Sequence, residues 1–275
     1  MIPNPPLLTL KSVLETPLPP IEWDCEPIIP HRRRVVVFGE FGALKSWLLL
    51  HLGLHLAAGA GWLGFRVPQP RRVLYIDEEM AEEDLRRRIK QLAAGMHRSP
   101  SEFPGDLRAY PRVGVTFDQA GAHRLSLHLR REAYAPDVII IESLVRVLVG
   151  NENFAWDVAA FWRHVEPLLR GGATVIISHH MTKSFDDGAH EPKPLRARAR
   201  GSTEILAGAD VGWGVEIVVE GSRSRLSCVK TRASATPRPF MVALTEVTGL
   251  LSIALIPPRE QNHQHGERSQ LNHIS

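Results

Sequence analysis

The pair Lys45-Ser46 closes the run Gly39-Glu40-Phe41-Gly42-Ala43-Leu44. This run follows four apolar residues, Val35 to Phe38, and precedes another apolar stretch. A glycine-containing turn between a strand and a helix gathers backbone amides and the positive end of a helix dipole at one point, a setting suited to phosphate groups. There Lys45 would reach the terminal phosphates of a nucleotide and Ser46 would ligate Mg²⁺. The backbone from Gly39 through Gly42, Ala43 and Leu44 to Trp47 would form the cradle. Leu44 departs from the usual pattern, which has glycine directly before the lysine.

Phosphoryl transfer also needs a carboxylate for the metal and a group that orients the attacking water. Val138-Ile139-Ile140-Ile141 ends in Glu142, which suits the metal role, although aspartate is commoner there. Val73 to Ile76 ends in Asp77-Glu78-Glu79. Three carboxylates at one strand end repel unless cations sit nearby, so the cluster favours a working site. Thr174 to Ser178 ends in His179-His180, where a residue sensing the γ-phosphate would lie. An ordinary polar strand end is the competing reading of the histidine pair.

These groups need strands to carry them. Val35–Phe38, Val73–Ile76, Val138–Ile141 and Thr174–Ser178 read as buried strands. Helices are expected over Ser46–Ala58, Glu82–Met96, Ala122–Glu132 and Val158–Val165, with Pro167 disturbing the end of the last. Alternation of this kind predicts an α/β fold whose mostly parallel sheet is flanked by helices. Beyond residue 205, Val211–Glu220, Leu226–Lys230, Phe240–Leu244 and Leu250–Leu255 predict an antiparallel extension. The first 30 residues hold eight prolines and read as an extended lead-in, with at most a short helix around Leu10–Glu15 and with Trp23 and Ile28–Ile29 able to pin it down. The folded domain is expected over 31–256 and a disordered tail over 257–275.

Composition excludes little else. Lys plus Arg is 33 and Asp plus Glu is 30, a net charge of +3, too small to argue for a polyanion by itself. Where the charge sits says more. Lys193, Arg196, Arg198 and Arg200 fall together with no acid from 192 to 200, a run suited to nucleic-acid phosphates; a solvated surface loop competes with it. No aromatic residue interleaves with Arg196–Arg200. Two cysteines fit a reducing compartment, and the expected location is cytoplasmic. The uncharged stretch Trp47–Phe65 imitates a membrane span, but His51, His55 and the break Ala58-Gly59-Ala60-Gly61 oppose that, so no membrane is expected.

In order and spacing, Gly-Glu-Phe-Gly-Ala-Leu-Lys-Ser-Trp, Tyr-Ile-Asp-Glu-Glu-Met, Ile-Ile-Ile-Glu-Ser-Leu, Ser-His-His-Met-Thr-Lys, Arg200-Gly-Ser and Lys230-Thr-Arg232 resemble the RepA-type branch of the RecA-like P-loop ATPases. That branch includes plasmid hexameric helicases and is related to the DnaB and KaiC classes. The resemblance spans roughly residues 20–255. It implies a RecA-like core, ATP with Mg²⁺, and a hexameric ring acting on single-stranded DNA as a replication motor. A slower ATP-dependent regulatory or loader protein with a protein partner is the alternative. It also implies that Glu79 orients water, Glu142 is the metal-associated acid and His180, with His179, lies at the sensor strand. Lys230 and Arg232 would reach a neighbouring subunit's γ-phosphate, with Arg200 as a rival. The loops Val149–Phe154 and Thr182–Arg200 would face the channel of such a ring.

Overall fold

The computed structural model describes residues 7–182, 194–233 and 235–257. The chain begins with a short helix, α1 (Leu10–Glu15), and a hairpin of β1 (Trp23–Cys25) and β2 (Ile29–Pro30). Alternating elements follow: β3 (Arg34–Gly39), α2 (Lys45–Ala58), β4 (Arg72–Asp77), α3 (Glu82–Gly95), β5 (Asp106–Pro111) and α4 (Gln119–Arg131). Then come β6 (Val138–Glu142), α5 (Leu144–Val147), α6 (Ala155–Arg170), β7 (Thr174–His180) and α7 (Glu204–Gly208). Four strands finish the fold: β8 (Val211–Val219), β9 (Arg223–Thr231), β10 (Phe240–Val247) and β11 (Leu250–Ile256).

The nine-stranded sheet runs β11-β10-β9-β8-β3-β7-β6-β4-β5. From β8 to β5 every pairing is parallel, and from β8 to β11 every pairing is antiparallel. The fold is a RecA-like P-loop α/β core. The strand at Val211 therefore belongs to both halves: it extends the parallel sheet beside β3 and opens the antiparallel one. β3 lies centrally, so the loop after it is held by strands on both sides.

Alternate strand residues enter opposite layers. Val35, Val37 and Ile140 pack under α2 and α3 with Leu50, Leu85 and Leu92. Val36, Phe38, Ile139 and Ile141 pack under α4, α5 and α6 with Leu125, Val147 and Phe161. Sandwiched strands need no polar face, which is why β3, β4, β6 and β7 read as unbroken apolar runs.

Two features differ from the sequence-based expectations, and two further points concern the chain's ends. β5 was not expected: it is a half-buried edge strand carrying Arg108 and Pro111, so its pattern resembles a loop. α6 continues through Pro167 to Arg170; a proline so near the end sacrifices one terminal hydrogen bond. Residues 23–30 belong to the folded body, with Cys25, Ile28 and Ile29 buried in the core. Asp24 fastens them, accepting from His31 Nδ1 at 2.8 Å and Thr174 Oγ1 at 2.5 Å and pairing with Arg71 Nε at 2.7 Å. The tail beyond Pro257 lies outside the described residues.

The span-like stretch Trp47–Phe65 is mostly α2, a 14-residue helix buried almost all round. At 1.5 Å per residue such a helix covers about 21 Å, short of a bilayer's hydrocarbon core. Among the described residues no helix is long and apolar enough to cross a membrane.

Trp62, just past α2, donates through Nε1 to His51 Nδ1 on that helix at 3.1 Å, and His51 Nε2 meets His55 Nε2 at 3.0 Å. Since His51 Nδ1 accepts, Nε2 carries its proton and donates onward. Burial, and then the neighbouring His55, push the His51 pKa down to about 3. Burial also lowers His55, His179 and His180. For each, the unfolded chain takes up a proton first as pH falls below about 6.5, so stability present above that pH is lost below it. For His51 the loss is about 1.4 kcal/mol per pH unit, continuing toward pH 3. Urea-unfolding midpoints should rise from pH 5.5 to 7.5, and His51→Gln should flatten that rise. An unchanged slope in His51→Gln would contradict the assignment.

Candidate nucleotide site

β3 delivers the chain to the phosphate loop at Gly39, where a Cβ would meet the Val215 carbonyl oxygen at 2.5 Å. Only glycine permits so close a pass beneath β8. Gly42 takes φ +80°, and Leu44 also adopts the left-handed region, at φ 62° and ψ 13°. For a leucine that conformation costs about 1–2 kcal/mol. The side chain offsets this by burial in the α2–α3 layer, so leucine stands here as a core residue as well as a loop residue. Ser224 Oγ on β9 donates to the Ala43 carbonyl at 3.0 Å and braces the loop from the far side.

Lys45 and Ser46 open α2. Lys45 Nζ donates to the carbonyls of Gly39 and Glu40 at 2.9 and 2.8 Å. Burial lowers its pKa, while Glu142, Glu79 and Glu40 pull it upward. Ser46 Oγ donates to Glu142 Oε1 at 3.0 Å, and Ser178 Oγ donates to the same oxygen at 2.7 Å. Glu142 is buried; desolvation raises its pKa to about 7 against the opposing effects of Ser178, Ser46 and Lys45. Its Oε2 and the Oδ2 of Asp77 are buried without hydrogen-bond partners. A serine hydroxyl beside an under-coordinated carboxylate suits Mg²⁺, which takes few protein ligands and completes its shell with water and phosphate oxygens. Among the described residues no three His, Cys, Asp or Glu form a self-sufficient metal cage.

The three acids after β4 have separate tasks. Asp77 Oδ1 accepts from the amides of Glu79 and Met80 at 2.9 and 2.8 Å and so shapes the turn. Glu78 accepts from Gly114 and Val115 amides at 3.1 and 2.8 Å and fixes the loop after β5. Glu79 is left facing the phosphate loop, where its charge acts on Lys45 and His180. Ser143 Oγ donates to Glu79 Oε1 at 2.7 Å, Arg146 stands 3.7 Å away, and Arg112 Nε holds the Glu79 carbonyl at 2.8 Å. Ser143, Ser178, Arg112 and Arg146 were not singled out from sequence. The two serines are visible in hindsight beside Glu142 and His179, whereas Arg112 and Arg146 carry no local signal.

The histidine pair splits across the strand. His180 points toward Lys45 and Glu79, and burial followed by the Lys45 charge lowers its pKa. His179 points the other way, with Nε2 2.6 Å from the Arg200 carbonyl.

Two expected side chains are reassigned. Trp47 turns toward α3, where the Arg88 guanidinium lies 4.3 Å over its ring, so only its backbone stands at the loop. Arg198 is not a solvated cation awaiting phosphate: it is 3 % exposed and ion-paired with Glu40 and Glu216. Arg196 is exposed, and Arg200 is half-exposed with its Nε 2.8 Å from buried Glu152. Lys193 and the rest of 183–193 lie outside the described residues. The start of α6 supplies the aromatic groups absent from the basic run. Phe154 and Trp156 stack at 4.6 Å with 14° between planes and are 45 % and 65 % exposed.

Lys230 and Arg232 sit away from the phosphate loop. Lys230 Nζ donates to the Leu206 and Ala207 carbonyls at 2.6 and 2.8 Å; Arg232 reaches Asp210 at 3.2 Å and the Ala207 carbonyl at 3.3 Å. Both thus close the end of α7 within the chain. Lys230 pairs with Gly212 and Gly212 with Val36, three residues before Gly39 on β3. Three strand residues span roughly 10 Å, so neither cation serves its own chain's phosphate loop.

Together the groups can cradle a triphosphate, hold a hard cation and set a carboxylate against water. A protein-family model described as an AAA domain matches residues 4–186, a span holding the phosphate loop, the three acids, Glu142 and both histidines. No curated protein matches the chain in sequence.

Proposed function

The chain belongs to this AAA-domain family of P-loop ATPases, and on that premise we propose that it is a ring-forming ATP-driven motor acting on single-stranded DNA, of the RepA-type replication-helicase kind. The observation that carries the DNA reading is the surface beyond β6 and β7. Half-exposed Arg200, tied to the His180 carbonyl, and the stacked Phe154–Trp156 pair lie beyond the strand ends that hold the phosphate loop, and exposed Arg196 lies four residues before Arg200. Cations that track a phosphate backbone, beside aromatic faces that take bases, are what sequence-tolerant single-strand binding uses.

In the mechanism, Lys45 and the loop amides hold the β- and γ-phosphates. Ser46 and Glu142 would hold Mg²⁺, which supplies charge neutralisation when bound. Glu79, kept in place by Ser143 and the Asp77 turn, orients the attacking water and accepts its proton. His180 faces the same space and reports the state of the γ-phosphate. Lys230 and Arg232, out of reach of their own loop, are the groups a neighbouring copy would receive.

The test is particle mass and ATPase rate in ATP with Mg²⁺, with and without single-stranded DNA. A multi-copy assembly whose turnover rises with DNA is expected. A persistent single chain, or turnover indifferent to DNA, would overturn the motor reading. Capture of one stoichiometric protein partner without DNA retention would favour the loader alternative.

A further inference from the structure

Arg198 joins the segment after β7 to the phosphate loop, and the reason lies in the register of two strands. β3 and β8 run parallel with Gly39 opposite Val215. The next residues along are Glu40 and Glu216, so two carboxylates leave neighbouring strands side by side. Like charges so placed repel. The Arg198 guanidinium lies between them, with Nη2 on Glu40 and Nη1 on Glu216, the latter at 2.8 Å. Its side chain is 4 % exposed, while those of Glu40 and Glu216 are 33 % and 34 % exposed.

Glu40 is also part of the loop. Its carbonyl accepts from Lys45 Nζ at 2.8 Å and from the Ala43 amide at 3.2 Å. The Arg198 backbone is equally engaged: its carbonyl accepts from the Thr182 amide at 2.7 Å and from Thr182 Oγ1 at 3.2 Å. Ala199 pairs with Met181, and the Arg200 amide donates to the His180 carbonyl at 3.0 Å. One buried side chain therefore ties the segment after β7 to Glu40, the first loop residue past β3.

We propose that Arg198 is a positioning residue for nucleotide binding: by neutralising Glu40 and Glu216 it holds the phosphate loop in its binding shape and keeps the loop's rim from repelling a polyanionic ligand. This rests on the ATPase reading above. Arg198 touches no phosphate itself; it acts through Glu40. Its planar fork serves two carboxylates at once, which a lysine ammonium does less well.

The test is titration of a fluorescent ATP analogue with Mg²⁺ against the full chain and its variants, with thermal unfolding of each recorded. Arg198→Ala should weaken binding about tenfold or more, because two partly buried carboxylates are left unneutralised. Arg198→Lys should recover part of the loss. Arg198→Ala combined with Glu216→Gln should bind more tightly than Arg198→Ala alone, since the repulsion is gone. A role confined to folding would leave the affinity of the folded chain unchanged in every variant and move only the unfolding temperature, since Glu216 has already lost its Arg198 partner in Arg198→Ala. Wild-type affinity in Arg198→Ala, or a double variant weaker than the single one, overturns the proposal. Should Arg198→Ala fail to fold, Arg198→Lys decides: unchanged affinity overturns the role and a partial loss supports it. If the unsubstituted chain does not bind the analogue, the ATPase reading itself falls.

Discussion

Lys45→Ala should abolish turnover and weaken nucleotide binding by at least about 100-fold, equivalent to roughly 3 kcal/mol. The ammonium lies buried at the mouth of α2, held by the Gly39 and Glu40 carbonyls, and is the group placed to cross to a terminal phosphate. A buried cation meeting phosphate makes charge-assisted bonds that alanine cannot replace. Calorimetric titration with a non-hydrolysed ATP analogue checks this, and near-normal affinity would remove Lys45 from the site. The same variant tests the proposed ring. In such a ring Lys45→Ala and Arg232→Ala chains would damage different halves of a shared interface, so an inactive sample of each should regain turnover on mixing. No regain would argue against Arg232 acting on a neighbour.

Glu79→Gln should bind nucleotide normally and hydrolyse it about 10²–10⁴ times more slowly. Glutamine keeps an acceptor for Ser143 Oγ and preserves the turn set by Asp77, so the site's shape survives while the proton acceptor is lost. Single-turnover hydrolysis alongside a binding titration separates the two effects. Normal hydrolysis would move the role to Glu142, because both Glu78 oxygens are committed to the Gly114 and Val115 amides.

Much of this was legible in the sequence because buried parallel strands leave a plain trace. Val35–Phe38, Val73–Ile76, Val138–Ile141 and Thr174–Ser178 all lie within observed strands, and Asp77, Glu142 and His179–His180 stand at the ends of theirs. What was not legible depends on contacts remote in sequence. Arg198 sits in a basic run that looks the same whether solvated or buried; its partner Glu40 is 158 residues away. Asp24 looks like one acid in a proline-rich lead-in until Arg71 and Thr174 fold around it. Asp77, Glu78 and Glu79 are chemically alike in sequence, and only the amides around them separate a turn-former, a loop anchor and a carboxylate left facing the phosphate loop. β5 hides because an edge strand is half wet and shows no sustained apolar pattern.

The placement of Lys230 and Arg232 has a consequence for how copies would join in the ring proposed above. The phosphate loop leaves one end of the sheet, while these two cations lie toward the other, so each protomer has a front and a back. A junction that sets the back of one copy against the front of the next is heterologous: it uses two different surfaces and leaves both free at the ends of any open array. Closure then depends on the rotation at each step, and a small change in that angle would convert a ring into a helical filament. Every nucleotide site in such an array would face the same way around, as the polarity of the sheet requires.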